Sequence, residues 1–267
     1  MPNPLITLTT DFGSKDPYVA EMKAVILGLS RNATIVDISH EIEKFNIRMG
    51  AYVLASAAPY FPKDTIHVVV VDPTVGTKRR PLIIQTENAF YVGPDNGVLA
   101  LTIKNQHVKH IYEITNQKLM LPKTLNTFHG RDIFAPAAAH LANGVRIEEF
   151  GEKAHPMVKP SFAKVTKMKN MLVGEVIYID DFGNIITSFQ ANEIERLNIK
   201  ETVKVKLKNT AFKLKLRRTY AEAENQEPLA IIGSHNFLEI SVNQGNAERI
   251  FNVKSGNKVV LFSPPKI

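Results

Sequence analysis

Apolar positions along the first half of the chain alternate between two rhythms. Leu5–Thr9 and Thr34–Ile38 are short runs rich in β-branched residues, and Thr65–Val71 is almost continuously apolar, as suits a strand buried on both faces. Between these runs, Val19, Met22, Ile26 and Leu29, and then Ile47, Ala51, Leu54, Ala58 and Phe61, recur at helical spacing. Asp16-Pro17 marks the start of the first helix, with Asp as a cap and Pro in the first turn. Leu82–Thr86 and Ala89–Val92 predict a hairpin across Glu87-Asn88. An alanine-rich helix follows Gly130-Arg131-Asp132 and runs to about Asn143, where Gly144 is its stop signal. This alternation predicts an α/β domain over residues 1–150 with a largely parallel central sheet.

From Met168 the helical rhythm fades. Leu172–Ile179, Asn184–Ser188, Val203–Leu207, Phe212–Leu216, Leu229–Ile232, Phe237–Val242 and Lys258–Phe262 are short strand patterns, which predict a smaller all-β barrel or sandwich over residues 168–267. Residues 151–167, with Pro156 and Pro160, read as the linker.

Charge and composition narrow the function. Formal net charge is +7, and much of the excess lies between Lys200 and Arg218. There Val203, Val205 and Leu207 alternate with Lys204, Lys206 and Lys208, and Phe212, Leu214 and Leu216 alternate with Lys213, Lys215 and Arg217. That is a hairpin with one buried face and one lysine-coated face, a solvated surface that also discourages edge pairing. The lysine-coated face has no stacking aromatics, so no nucleic-acid partner is expected. The chain has no cysteine, which excludes disulfides, thiolate catalysis and cysteine-ligated zinc. No apolar run is long enough to span a bilayer, and Met-Pro-Asn-Pro-Leu-Ile-Thr lacks the basic start of a signal peptide. A cytoplasmic protein with no membrane partner is expected. No metal-ligand spacing is present: His40-Glu41 lacks the second histidine of a zinc-protease helix. Two Asp-Phe-Gly tripeptides, at Asp11 and Asp181, lack the other parts of a kinase.

In open parallel sheets, ligands bind beyond the carboxyl ends of the strands. Asp11, Asp37 and Asp72 fall there, each also suited to a cap or loop hydrogen bond. In Asp72-Pro73-Thr74-Val75-Gly76-Thr77-Lys78-Arg79-Arg80, Pro73 and Gly76 favour a turn that folds Arg79 or Arg80 back towards Asp72. His129 lies in the loop ahead of the alanine-rich helix, where an imidazole and backbone N–H groups can meet a ligand.

These segments recur together in one family. Thr10-Asp11-Phe12-Gly13 with Asp16 and Tyr18-Val19-Ala20 form one block; His40-Glu41-Ile42 with Asn46-Ile47 a second; Val71-Asp72-Pro73 through Arg79-Arg80 a third. Gly93-Pro94-Asp95-Asn96-Gly97, Phe128-His129-Gly130-Arg131-Asp132, Asp180-Asp181-Phe182-Gly183-Asn184 and Leu238-Glu239-Ile240-Ser241-Val242-Asn243 follow in order. The chain resembles the S-adenosyl-L-methionine hydroxide adenosyltransferases, water-using relatives of the fluorinase and chlorinase. The resemblance implies an enzyme that displaces methionine from C5′ of S-adenosylmethionine (SAM) with water-derived hydroxide, giving adenosine. It implies SAM as substrate, with no cofactor and no metal.

The resemblance also assigns roles. Asp72, Arg79 and His129 become the water-activating set, with Arg79 preferred to Arg80 from the family's spacing and the base left open between Asp72 and His129. Asp11 is expected on the ribose hydroxyls, Asp180 on the methionine ammonium, Asn184 at the adenosine end and Ser234 on the methionine carboxylate. Phe45 and Tyr220 stand where relatives have aromatic walls, Phe128 lines the reacting centre, and Asn243 closes the binding set. A homotrimer with inter-subunit sites is expected. This sequence departs at Thr74, where Gly is usual, and at Gly233-Ser234-His235-Asn236, where Asn-Ser-x-Gly is common. Gly130 stands where the fluorinase has serine, which favours water over halide. A halogenase or a non-catalytic SAM sensor are the alternatives.

Overall fold

In the computed structural model, which describes residues 3–104, 106–122, 126–154 and 156–264, the strand and helix rhythms resolve into two compact units that divide between Pro160 and Ser161. The first unit contains β1 (Leu5–Thr10), α1 (Tyr18–Leu29), β2 (Thr34–Ser39), α2 (Ile47–Ala57), β3 (Thr65–Val70), β4 (Pro81–Thr86), β5 (Ala89–Pro94), α3 (Ala100–Ile103), β6 (Val108–Glu113) and α4 (Ala135–Ala142). Its sheet has the order β2-β1-β3-β5-β4-β6.

The sheet is mixed, which corrects the expectation of a largely parallel one. The β2–β1, β1–β3 and β3–β5 pairings are parallel, but β4 pairs antiparallel with both β5 and β6. The expected hairpin across Glu87-Asn88 causes this. Two residues can reverse a chain but cannot carry it across the sheet to a parallel neighbour.

All six residues of β3 are buried, as its apolar run predicts. Fully burying a Val or Ile side chain contributes roughly 1.5–3 kcal/mol. Ala135, Ala137, Ala138 and Ala139 of α4 are fully buried, and their small side chains allow close packing on α1 and β3. Met22 and Ile26 of α1 are buried as expected, but Leu29 is 38% exposed and Val25 joins the core instead. Pro17 takes the cap position of α1 without a side-chain cap, so Asp16 does not serve there.

The chain leaves β1 for β2 on one side and returns to β3 on the other. The crevice beyond β1 and β3 is therefore a topological switch point, where open α/β sheets bind ligands. Asp11 directly follows β1 and Asp72 lies two residues beyond β3, so the parallel β1–β3 pairing brings both carboxylates to one end of the sheet.

Residues 151–160 belong to the first unit. Lys153 bridges Tyr112, Ala154 N–H donates to Ile111 O at 2.9 Å, and Val158 N–H donates to Asp95 Oδ1 at 2.9 Å. His155, within the expected linker, lies outside the described residues.

The second unit contains β7 (Thr166–Met168), β8 (Met171–Ile179), β9 (Ile185–Gln190), α5 (Ala191–Arg196), β10 (Thr202–Leu207), β11 (Thr210–Arg217), β12 (Pro228–Ile232), β13 (Phe237–Val242), α6 (Ala247–Phe251) and β14 (Lys258–Phe262). β14-β10-β11-β12-β13-β9-β8 close into a barrel through the β14–β8 pairing, and β7 adds to β8. Closure leaves these seven strands without free edges. Val203, Val205, Leu207 and Leu214 face its core, while Lys204, Lys213 and Lys215 are exposed, as their alternation predicts.

Candidate active site

The turn after β1 is held by the segment ahead of α2. Thr10 Oγ1 and His40 Nδ1 are 2.9 Å apart, and Gly13 N–H donates to His40 O at 2.7 Å. Lys44 Nζ donates to Asp11 O at 2.5 Å, and Phe45 N–H donates to Asp11 Oδ2 at 2.8 Å. Phe45 adopts a left-handed backbone (φ 64°), and its ring is 68% exposed. Asp11 is thereby buried and aimed, and a carboxylate has lone pairs to spare beyond one such bond. Asp37 has a different role. It pairs with Lys23 at 2.6 Å and with His40 Nε2 at 3.1 Å. Burial pushes its carboxyl up, and these two partners outweigh that and hold it below its ordinary value.

Asp72, Arg79 and His129 come together through two loops. Val75 N–H donates to Asp72 O at 3.3 Å and Thr77 N–H to Thr74 O at 3.1 Å, folding the first loop back on itself. Gly76 (φ 80°) makes the meeting with the second loop possible, because a Cβ there would lie 2.6 Å from Asn126 O. Arg79 Nε donates to Asp72 Oδ2 at 2.8 Å, and Arg79 Nη2 bonds the same oxygen. Arg79 Nη2 also lies 2.6 Å from His129 Nδ1. The guanidinium stacks 5.3 Å from the centroid of the buried Phe134 ring. Both side chains of the ion pair are buried. Thr74 Oγ1 donates to the other Asp72 oxygen at 3.3 Å, so the residue that departs from the family pattern touches the carboxylate.

The two arginines have different partners. Arg80 turns away to Asp95, with Nε to Oδ2 at 3.0 Å, and to Pro156 O at 2.6 Å. Arginine has donors only, so the nitrogen of His129 that faces it must accept. In the neutral imidazole the proton then resides on Nε2.

His129 caps a π-helical turn, Gly130–Phe134, that leads into α4. Such turns recur at functional sites. A Cβ on Gly130 would lie 2.9 Å from the Phe128 ring and 3.2 Å from Met22 Sδ. Gly130 is therefore the space into which Phe128 folds. Arg131 stacks on Phe128 at 5.1 Å and is itself held by Asp132 at 2.7 Å and Glu21 at 2.8 Å.

A cleft of about 410 Å³ is lined by Asp11, Phe45, Asp72, Phe128 and His129, all expected from the sequence. Its volume is in the ordinary range for a small-molecule site. Phe12, Asp16, Tyr18 and Lys44 also line it, and sequence reasoning gave them no role in the site. Their signal was proximity, since all lie within a few residues of Asp11 or Phe45. Arg79 lines a neighbouring cavity of about 760 Å³ that shares His129. The smaller cleft is the better candidate for the reacting centre, because both carboxylates and the aromatic rings converge there.

In the second unit, Asp180, Asn184 and Tyr220 line a cavity of about 450 Å³. Asp180 organises the β8–β9 turn, accepting from Phe182 N–H at 3.1 Å, Asn184 N–H at 2.8 Å and the Asn184 side-chain amide at 2.8 Å. Asn243 instead spends its amide on Ala223 O at 2.8 Å, pinning the loop that carries Tyr220. Ser234 lies in the exposed turn between β12 and β13. The residue missed here is Glu239, a buried carboxylate that accepts from Tyr220 Oη at 3.1 Å. Burial raises Glu239, with Asp180 adding to the rise. Burial and Glu239 push the Tyr220 hydroxyl up to about 12. The sequence signal was a lone charge in the otherwise uncharged Phe237–Val242 run.

Among the described residues, no cluster of three His, Cys, Asp or Glu could hold a metal ion, and no helix is long and apolar enough to cross a membrane.

Comparison with known proteins gives the site its family. The N-terminal domain of the SAM hydroxide adenosyltransferases matches residues 6–151, and their C-terminal domain matches residues 174–260. The (R)-S-adenosyl-L-methionine hydrolase of Methanocaldococcus jannaschii is 39% identical over 261 residues, covering 93% of this chain and 92% of that protein. The (R)-S-adenosyl-L-methionine hydrolase of Thermus thermophilus is 35% identical over 260 residues, covering 95% and 97%. The fluorinase of Actinoplanes sp. is more distant, at 26% over 290 residues and 97% of each chain. An uncharacterized conserved protein from Thermotoga maritima has a solved structure that superimposes with a TM-score of 0.90 at 36% identity, covering 96% of this chain and 99% of that one. Matched through both units, the chain belongs to the SAM hydroxide adenosyltransferase family.

Proposed function

We propose that this protein hydrolyses SAM to adenosine and L-methionine in the cleft beyond β1 and β3, with SAM as substrate rather than cofactor. The observation that carries the reading is the guanidinium of Arg79 bridging the Asp72 carboxylate and His129 Nδ1. Methionine leaves as a neutral thioether, so the departing sulfur needs no acid. Water is a weak nucleophile, and the site must orient it in line with the C5′–S bond and accept its proton.

The bridge divides these tasks. A guanidinium has donors only, so Arg79 does not take the water proton. It fixes Asp72 by Oδ2 and holds His129 with its proton on Nε2. His129 then donates from Nε2 to the water oxygen, and Asp72 accepts the water proton at Oδ1. As the new C5′–O bond forms, the C5′–S electron pair goes to sulfur. The remaining proton passes from Asp72 to solvent after adenosine departs.

Asp11 accepts from the ribose hydroxyls, Phe45 is an aromatic wall, and Phe128 lines the reacting centre. Of the residues in the barrel unit, Asp180 is assigned the methionine ammonium, Ser234 its carboxylate, Asn184 the adenosine end and Tyr220 a second aromatic wall. We extend the reading to a homotrimer in which sites form between subunits, and sedimentation at the mass of three chains tests it.

Incubation with SAM in ¹⁸O-labelled water, with and without chloride, tests the chemistry. Labelled adenosine with methionine is the expected result. A 5′-chloro nucleoside would make the protein a halogenase, and intact SAM despite measurable binding would make it a sensor.

A further inference from the structure

Phe12 and Tyr18 line the cleft, yet the hydrolysis proposed for it gives them nothing to do. With Phe128 they form a corner of three rings. The Tyr18 and Phe128 centroids are 5.2 Å apart with ring planes at 80°, those of Phe12 and Phe128 are 5.5 Å apart at 75°, and those of Phe12 and Tyr18 are 5.8 Å apart at 62°. Edge-to-face packing of this kind fixes the rings mutually. The corner is not sealed into the core, for Tyr18 is 45% exposed. One face of Phe128 is already taken by the Arg131 guanidinium at 5.1 Å. That cation draws on the ring's negative potential, so Phe12 and Tyr18 have the more available π surface.

SAM carries a fixed positive charge on sulfur. A sulfonium has no N–H or O–H to donate, and its charge is spread over apolar carbon substituents. Hydrogen bonding cannot recognise it, whereas aromatic faces attract cations of this type. We propose that Phe12 and Tyr18 are specificity-determining residues that select the charged sulfonium over neutral thioethers, with Arg131 propping Phe128 as the third wall. This assignment rests on SAM being the substrate.

The chemistry adds a signature. The sulfonium charge is discharged as the C5′–S pair moves to sulfur, so the attraction is strongest in the ground state. An interaction of that kind tightens binding without accelerating the chemical step. Losing it must raise KM and leave kcat unchanged or higher.

The test compares SAM with S-adenosylhomocysteine, which keeps the nucleoside and amino acid but has an uncharged sulfur. Calorimetric Kd values are measured for the wild type, Phe12→Leu and Tyr18→Leu, which keep apolar bulk and lose the π face. Asp16→Asn serves as a control for the carboxylate that also lines the cleft. Wild type is expected to prefer SAM. Each leucine variant should narrow that preference by about threefold to tenfold, through weaker SAM binding, and raise KM without lowering kcat. Equal losses for both ligands would reduce the rings to an apolar wall, and a preference lost only in Asp16→Asn would give the selection to the carboxylate. Either result, with wild-type hydrolysis intact, overturns this assignment alone. A wild type that binds neither ligand overturns the substrate reading, and this assignment with it.

Discussion

Arg79 Nη2 lies 2.6 Å from His129 Nδ1 while the same guanidinium grips Asp72 Oδ2. One planar cation thus sets the direction of a carboxylate and the tautomer of an imidazole. Lysine cannot reproduce this, because its single ammonium lacks the fork that meets two acceptors at fixed angles. Arg79→Lys is expected to lower kcat about 100-fold, on the scale of losing one preorganised catalytic donor, while the Kd for SAM changes less than about threefold. Single-turnover rates and calorimetry check both numbers. A fall confined to Kd would remove Arg79 from the water-activating set.

Arg80 provides the contrast. Its guanidinium holds the buried Asp95 and the Pro156 carbonyl, and Asp95 in turn accepts from Val158 N–H. Arg80→Ala strands a buried carboxylate. Because Arg80 is itself partly exposed, the cost should fall between that of a surface pair and a fully buried one, about 2 kcal/mol. Urea denaturation should show that loss. Turnover per folded molecule should stay within about threefold of wild type.

Much of this division was hidden in the sequence, and the reason is physical. Strands with their own burial rhythm were legible: the continuous apolar run of β3 and the Val/Lys alternation of β10 match their burial. Elements defined by partners were not. β6, Val-Lys-His-Ile-Tyr-Glu, is an edge strand whose polarity masks its pairing to β4. α5 is six residues long, too short for a helical stripe, although its Gln190–Glu193 capping box was there to read. The adjacent Arg79 and Arg80 look alike in a turn. Only the fold shows Asp72 in reach of one and Asp95 in reach of the other. In the same way, the hydrogen bond from the Asn243 amide to Ala223 O is visible only in the fold.

His67 makes stability depend on pH. It lies fully buried in β3, hydrogen bonded to Thr7 Oγ1 at 2.8 Å and stacked on Tyr91 at 5.1 Å. Burial lowers its pKa from 6.5 to about 4. The unfolded chain therefore binds a proton more readily than the folded one across that window. The contribution is fully present above pH 6.5 and is lost as pH falls towards 4, with a gap of that size worth about 3 kcal/mol at most. His67→Gln should be less stable than wild type at pH 7, through lost stacking, and the difference should shrink steadily between pH 6.5 and 4.5. Denaturation midpoints across that range measure it. A constant difference would mean that His67 does not titrate on unfolding.

Gly130 tests whether space or chemistry separates this chain from its halide-using relatives. A Cβ at that position would meet the Phe128 ring at 2.9 Å and Met22 Sδ at 3.2 Å, and Met22 is fully buried in α1. Phe128 is only partly buried, so its ring is the one expected to shift and disturb the wall beside His129. Gly130→Ala and Gly130→Ser add the same Cβ, and only the serine adds a hydroxyl. If the glycine is there for space, both variants should lose about tenfold in kcat/KM for hydrolysis, equivalent to about 1.4 kcal/mol of transition-state stabilisation, with no chlorinated product in either. If the hydroxyl is what matters, the alanine variant should keep wild-type hydrolysis while the serine variant alone changes its products. The short Cβ contacts favour the first outcome, because a displaced Phe128 ring reaches the water site whichever atom follows the Cβ.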